Sequence, residues 1–360
     1  MTDVRGLSPT EYGLFQLIYY WVVMVTEVPS GVIADRLGRK FSLVLGALVN
    51  GIGCWVFAVA HDFQTFFIGG IFFALGTALI SGADSAMLYD SLAAEKRESE
   101  YARAEGAGQM IWLGFTAIGM PLTDYFIVAD HGPAPAYWIT GALSFVGVIA
   151  ALLMVEPPRA RSASAREITR AALGDVARVP GILRLIVYSI GVFLLLRIAI
   201  VSFYNPLLSW QGVAPNRYGG TVLALVNVVG AITAWKADAF MRRYGERAAL
   251  LAMPIAVLVM FGLLLTFRMP AASLLFCIQG AVFGAYPLVT RTILNRLVRS
   301  ADRRATVLSI ESMACRVGMG LIALLAGWAI DAVSLRAAIL LALAGGCLPF
   351  LALPFLKREA

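Results

Sequence analysis

The residues able to do chemistry here are few, and most are charged or polar groups set inside long apolar runs. Arg197 stands deep in the run 181–209, with Tyr204 at i+7 on the same helical face and Asn205 beside it. Glu311 and Arg316 share the run 305–330. At ~100° per residue they lie about 140° apart on a helix and do not pair with each other. Glu105, Gln109, Trp112 and Thr116 follow the spacing i, i+4, i+7, i+11, a polar stripe along 104–126. Asp84 continues a face with Phe73, Thr77 and Ile80, and Glu27 interrupts the first run one turn from its end. An ionised group near the centre of a bilayer costs ~2.5–3.5 kcal/mol, so each of these needs a partner or a water-filled cavity. The chemistry on offer is recognition and proton carriage. Arg197 suits either an anionic group of a substrate or an internal carboxylate. For Glu27 and Glu105, which lie near the interface, a structural contact is the favoured reading.

Bond-making chemistry has no such support. HExxH, GxSxG and Walker-type patterns are absent, and the two histidines, His61 and His131, fall in short polar gaps away from any carboxylate cluster. The four cysteines, Cys54, Cys277, Cys315 and Cys347, sit singly in apolar runs, without a CxxC pair. An enzyme, a cofactor and a metal site are therefore not expected.

Apolar elements must position these groups. The chain has 360 residues, of which 60% are hydrophobic and 14% charged. A soluble domain carries roughly 45–50% and about 25%, so a cytosolic globule is excluded. A membrane-spanning helix needs ~20 mostly apolar residues. Eleven such runs can be read: 12–34, 41–60, 63–88, 104–126, 134–155, 181–209, 218–240, 248–267, 269–292, 305–330 and 337–356. Backbone groups in hydrocarbon must be satisfied within the segment, so runs of this length are helices. The expected fold class is an all-α polytopic membrane protein.

The net charge of +7 is a topology signal. One set of loops holds Arg36, Arg39, Lys40, Lys96, Arg97, Arg103, the Arg cluster 159–184, Lys236, Arg242, Arg243, Arg247, the cluster 291–304, Lys357 and Arg358; the other holds only Arg5, Arg217, Arg268 and Arg336. Positive loops face the cytoplasm, which puts the C-terminus inside a cytoplasmic (inner) membrane and removes nucleic acid as a partner. The Pro-, Arg- and Ser-rich loop 157–180, with a surface amphipathic helix expected at 164–178, separates a bundle at 1–156 from one at 181–360.

The two bundles repeat. Asp35-Arg36-Leu37-Gly38-Arg39-Lys40 follows the first run, and Asp238-Ala239-Phe240-Met241-Arg242-Arg243-Tyr244-Gly245 follows the seventh. Further on, Asp90-Ser91-Leu92 and Asn295-Arg296-Leu297 occupy matching places. Run six then has no counterpart, and the expectation is a twelve-helix plan whose opening helix is missing from the first half.

Gly31-Val32-Ile33-Ala34-Asp35-Arg36-Leu37-Gly38-Arg39-Lys40 resembles the signature loop of the major facilitator superfamily, G-x-x-x-D-R-x-G-R-[RK], with the weaker second-half copy at 238–245. The resemblance implies two pseudo-symmetric bundles that rock about a central site. It implies gating by Gly31, Asp35, Arg36, Gly38, Arg39, Lys40, Asp90, Asp238, Arg242 and Gly245. Asp35 would face a helix N-terminus of the other bundle near Arg304–Val307, Arg39 would pair with Asp90, and Gly31 and Gly38 would permit close approach and a tight turn. Two departures count against drug export: Phe72 stands where exporting branches carry Arg four residues before a glycine, and their helix-5 signature survives only as Gly114…Gly119-Met120-Pro121. The reading is a secondary transporter, monomeric, moving a small solute and open to proton coupling. Its substrate and coupling candidates are Arg197, Tyr204, Asp84, Glu105, Gln109, Glu311 and Arg316. The alternative is a non-transporting scaffold or sensor on the same fold.

Overall fold

The structure, a computed structural model, describes residues 7–81, 83–97, 100–124, 132–157, 174, 176, 179–298, 301–346 and 349–350. Among the described residues the secondary structure is helical throughout. In chain order the helices are α1 (Pro9–Leu37), α2 (Arg39–Val59), α3 (Phe63–Ile80), α4 (Ala83–Ala94), α5 (Tyr101–Thr123), α6 (Ala134–Leu153), α7 (Pro180–Val201), α8 (Tyr204–Trp210), α9 (Pro215–Tyr244), α10 (Glu246–Thr266), α11 (Phe276–Leu297), α12 (Ala301–Ala332) and α13 (Leu335–Gly345). A 3-10 turn, Pro270–Leu275, leads into α11.

Eight helical segments among the described residues are long and apolar enough to cross a membrane. The runs 12–34, 104–126 and 337–356 fall on α1, on α5, and on the short α13 with the residues after it. Each of these three carries residues whose side chains lie outside the description, or ends against such residues.

The chain divides into two compact units, Met1–Arg161 and Ser162–Ala360. Most of the expected linker and its surface helix lie outside the described residues.

Local signals set the helix ends. Ser8 caps α1 in a capping box: its hydroxyl accepts the Glu11 N–H at 3.1 Å while the Glu11 carboxylate accepts the Ser8 N–H at 2.8 Å. Asp62 caps α3, accepting the Thr65 N–H at 2.8 Å. In the first unit α2 packs between α3 and α6. Phe57 meets Phe66 at 4.8 Å, and Trp55 stacks on Phe145 at 4.7 Å with Trp138 6.0 Å away.

The second unit has the larger core, with Tyr188, Phe203, Phe261 and Phe276 wholly enclosed. There α9 and α11 touch backbone to backbone. A Cβ on Gly284 would stand 1.9 Å from the Gly230 carbonyl oxygen, so only glycine fits that crossing.

The run 181–209 is not one helix. α7 stops at Val201, and the N–H groups of Ser202 and Phe203 both turn back to the Ile198 carbonyl, at 3.0 and 3.1 Å. The cause is Pro206, which has no N–H to give the Ser202 carbonyl and so cannot continue the α7 ladder. In α8 it occupies the first turn, where an N–H has no intrahelical partner anyway.

Candidate functional site

Two tight turns, one in each unit, carry the ion pairs that link one helix to another among the described residues. In the first unit Gly38 closes α1 and opens α2 with φ 112°, its N–H donating to the Ala34 carbonyl at 3.1 Å. In the second, Gly245 does the same between α9 and α10 with φ 84°, its N–H donating to Met241 at 2.8 Å. Both dihedrals lie where a Cβ is disfavoured, so glycine is required at each hinge.

Each hinge is tied to the end of a later helix by an ion pair. Arg39, the first residue of α2, pairs with Asp90 of α4 at 2.8 Å, their side chains 25% and 20% exposed. Glu246, the first residue of α10, pairs with Arg296 of α11 in a bidentate contact of 2.7 and 2.8 Å. The geometry repeats and the polarity is reversed.

Helix electrostatics explains a further difference. The start of a helix carries partial positive charge, which favours anions and disfavours cations. α10 starts with an anion of its own. α2 starts with Arg39 and Lys40, and there Glu156, just past the end of α6, supplies the compensation. Its two carboxylate oxygens accept the N–H groups of Arg39 and Lys40 at 2.9 and 2.8 Å. Sequence reading missed Glu156. The signal was an acid at the end of the run 134–155, on the same side as the basic 36–40 turn. It also missed Glu246, which matches Arg39 once Gly245 is set on Gly38.

The other gating candidates have separate places. Arg36 is exposed. Among the described residues nothing lies within 4 Å of a Cβ added to Gly31. Asp238 pairs with Arg242 one turn on in its own helix, both exposed, and so does not reach a neighbouring helix. The side chains of Asp35 and of residues 301–306 lie outside the description, and with them the contact expected of Asp35.

A second polar group is built inside the second unit. The Tyr286 hydroxyl of α11 lies 3.1 Å from the Glu311 Oε1 of α12 and 3.2 Å from the Ser189 carbonyl of α7. Gln279, 3% exposed, donates to the Leu196 carbonyl at 3.3 Å, beside Arg197. Arg197 is half-buried and lies 6.0 Å from the Phe193 ring centroid. It stands ~6 Å of helix rise from the end of α7 at Val201, not mid-span as a continuous 29-residue helix would place it.

Tyr204 does not join Arg197. The break at Ser202 cancels the i+7 relation, and Tyr204 is 6% exposed, its hydroxyl donating to the Gly219 carbonyl and its ring edge-on to Phe276 at 4.9 Å. Arg316 is half-buried on α12, where Glu311 turns instead to Tyr286. Asp84 is exposed and accepts the Ser85 N–H at 2.7 Å. On the α5 stripe the Glu105 and Gln109 side chains lie outside the description, Trp112 is exposed, and Thr116 donates to the Trp112 carbonyl at 2.8 Å. Tyr286 and Gln279 were not anticipated from sequence, because a lone Tyr or Gln in an apolar run reads as packing.

Two helical units with membrane-length helices and paired charges at matching turns define a multi-pass membrane protein of repeated design. The sequence model described as the Major Facilitator Superfamily matches residues 1–277, and the chain belongs to that family. Solved structures agree on the fold. The nucleoside transporter NupG superposes with a TM-score of 0.80 at 14% identity, covering 100% of this chain and 93% of that one. A bacterial homologue of the human lysosomal transporter Spinster, inward-facing and unoccupied, gives 0.77 at 16% identity, covering 99% and 92%. Among curated relatives, an uncharacterized transporter of Buchnera aphidicola subsp. Acyrthosiphon pisum is 29% identical over 144 residues, 40% of this chain and 33% of that protein. The quinolone resistance protein NorA of Staphylococcus aureus is 19% identical over 159 residues, 44% of this chain and 39% of its own length. The matches thus span between a third and two fifths of these relatives.

Proposed function

We propose that this protein is a secondary transporter that moves a small solute across a cytoplasmic membrane by alternating access, with proton coupling through Glu311. The observation that carries the transport reading is the pair of glycine hinges, each locked by one ion pair to a later helix. Ion pairs at 20–60% exposure sit where water can replace them, so they can form and break within a cycle at modest cost. A purely structural tie would be better served by the apolar contacts that hold the rest of each unit.

Proton coupling rests on the Tyr286 hydroxyl, which has one hydrogen and two acceptors in reach. With Glu311 ionised, that hydrogen points to the carboxylate. With Glu311 protonated, the carboxylic acid donates to the tyrosine oxygen and the tyrosine turns its hydrogen to the Ser189 carbonyl. One proton thereby changes the bonding among α7, α11 and α12. A charge crossing 100 mV gains ~2.3 kcal/mol, enough to concentrate a solute roughly fifty-fold. Arg197 and Gln279 are the polar groups proposed to meet the solute.

The test is reconstitution in liposomes with a pH gradient and a panel of labelled solutes. Wild type should accumulate one class of solute and acidify or alkalinise the lumen in step. Glu311→Gln should lose gradient-driven accumulation yet keep exchange of solute for solute. Accumulation by Glu311→Gln at the wild-type level would overturn proton coupling there, and absence of any uptake across the panel would count against transport.

A further inference from the structure

We infer that the second unit binds an anionic phospholipid in a crevice between α9, α10 and α11, with Lys236 holding the phosphate. The inference depends on the chain spanning a membrane, and not on transport.

The crevice has a volume of about 260 Å³ and is lined almost wholly by small and apolar side chains, among them Ala252, Ala256, Ala281 and Ala285. Two lining residues are polar. Thr233 is already engaged, its hydroxyl lying 2.9–3.0 Å from the carbonyl oxygens of Val229, Gly230 and Ala281, any of which can accept its one hydrogen. Lys236 is exposed and makes no hydrogen bond or ion pair with any described residue. A crevice with no free hydrogen-bonding group along its walls and one ammonium at its rim fits a hydrocarbon chain with an anionic head. A polar solute would leave its own groups unpaired there.

The rim is open. Lys236 and Phe240 on α9, and Ala252, Ile255 and Val259 on α10, are all exposed, and apart from the lysine all are apolar. Lys236 also lies at the right depth. It stands eight residues before the end of α9 at Tyr244, and about 9–10 Å of helix rise from the Arg242–Arg243 pair that marks the charged end. From there its four-carbon stem reaches the headgroup layer while the methylenes stay in hydrocarbon. No acidic residue lines the crevice to compete for it. Asp238, the nearest acid in sequence, is engaged by Arg242. Basic pockets between membrane helices at the positively charged end hold acidic lipid heads by this arrangement.

The experiment is native mass spectrometry of the full chain released from micelles, titrated with phosphatidylglycerol or with phosphatidylcholine of the same acyl length. Wild type should retain phosphatidylglycerol at least fivefold better than phosphatidylcholine. Lys236→Gln should erase that preference, about a fivefold loss, the effect of one basic residue at an anionic surface. Ala252→Trp, which fills the crevice from its exposed rim, should reduce retention of both lipids. Leu225→Trp, on an exposed part of α9 outside the crevice, should leave both unchanged and shows that an added indole alone has no effect. Equal retention of the two lipids by wild type, an intact preference in Lys236→Gln, or equal losses in the two tryptophan variants would each overturn the assignment.

Discussion

Glu156 offers the sharpest test of the electrostatic account, because a half-buried carboxylate from the end of α6 completes the first turn of α2. Replacing it by alanine removes two charge-assisted hydrogen bonds, to the N–H groups of Arg39 and Lys40 at 2.9 and 2.8 Å. A hydrogen bond to a charged group is worth about 1.5–3 kcal/mol net, and partial access of water favours the lower end. The loss also leaves two cations at the positive end of a helix, adding about 0.3–1 kcal/mol. Glu156→Ala should therefore destabilise the first unit by about 3–4 kcal/mol. Glu156→Gln keeps one oxygen acceptor and loses the charge, and should cost about half as much. Glu246→Gln in the second unit is the contrast. Its carboxylate meets a 59% exposed Arg296, so the loss should stay below about 1 kcal/mol. Unfolding in mixed micelles of dodecylmaltoside and sodium dodecyl sulfate, followed by tryptophan fluorescence, reads the right interface, since Trp55 of α2 and Trp138 of α6 lie 6.0 Å apart. A Glu156→Ala protein within 0.5 kcal/mol of wild type, or one no weaker than Glu246→Gln, would refute the reasoning.

Other expectations follow from the same geometry. Reversing the first ion pair by Arg39→Glu with Asp90→Arg should recover most of the stability lost by either single change, with a coupling energy of about 1–3 kcal/mol in a double-mutant cycle; additive losses would show that the pair contributes nothing. Gly284→Ala should disrupt the α9–α11 crossing by at least ~2 kcal/mol, since its Cβ would stand 1.9 Å from a backbone oxygen that cannot retreat; a shift in midpoint too small to measure would contradict the packing. Asp62 has its carboxyl held below the ordinary 3.8, chiefly by the Thr65 backbone N–H and then by the Thr65 hydroxyl. A depressed folded-state value means the stabilisation is present above 3.8 and fades as pH falls below it. The stability gap between wild type and Asp62→Ala should therefore be full at pH 7 and shrink below pH 4; a gap independent of pH would remove the carboxylate from the cap.

How much was legible in advance depended on whether the determining signal was local. Runs of apolar residues fix membrane helices because hydrocarbon leaves the backbone no other way to satisfy its hydrogen bonds. The Gly38 hinge and the Arg39–Asp90 pair came through the family motif, and the structure has that pair at 2.8 Å. Arg197 and Tyr204 misled, because periodicity alone carried one helix through Ser202. The signal against it was present in Pro206, whose missing N–H stops the ladder four residues earlier. Glu156 and Tyr286 were harder to read for a different reason. Their partners, Arg39 with Lys40 and Glu311 with Ser189, are distant in sequence, and only packing reveals that they meet.

The reversed polarity of the two hinges bears on what the repeat conserves physically. If the motif residues themselves were the requirement, Arg39 should have a basic counterpart after Gly245, but that place holds Glu246 with its cation, Arg296, on the later helix. What recurs is a glycine of positive φ, a charge at the first position of the next helix, and an opposite charge about 50 residues on. The sign at that first position then decides how much support the turn needs. An acid there is stabilised by the helix's own dipole and stands without outside help. A base opposes the dipole, and the first unit supplies Glu156 from α6 to offset it. Among the described residues the first hinge is therefore a three-helix junction of α2, α4 and α6, while the second joins α10 to α11. Removing one charge should consequently be felt further from the hinge in the first unit than in the second.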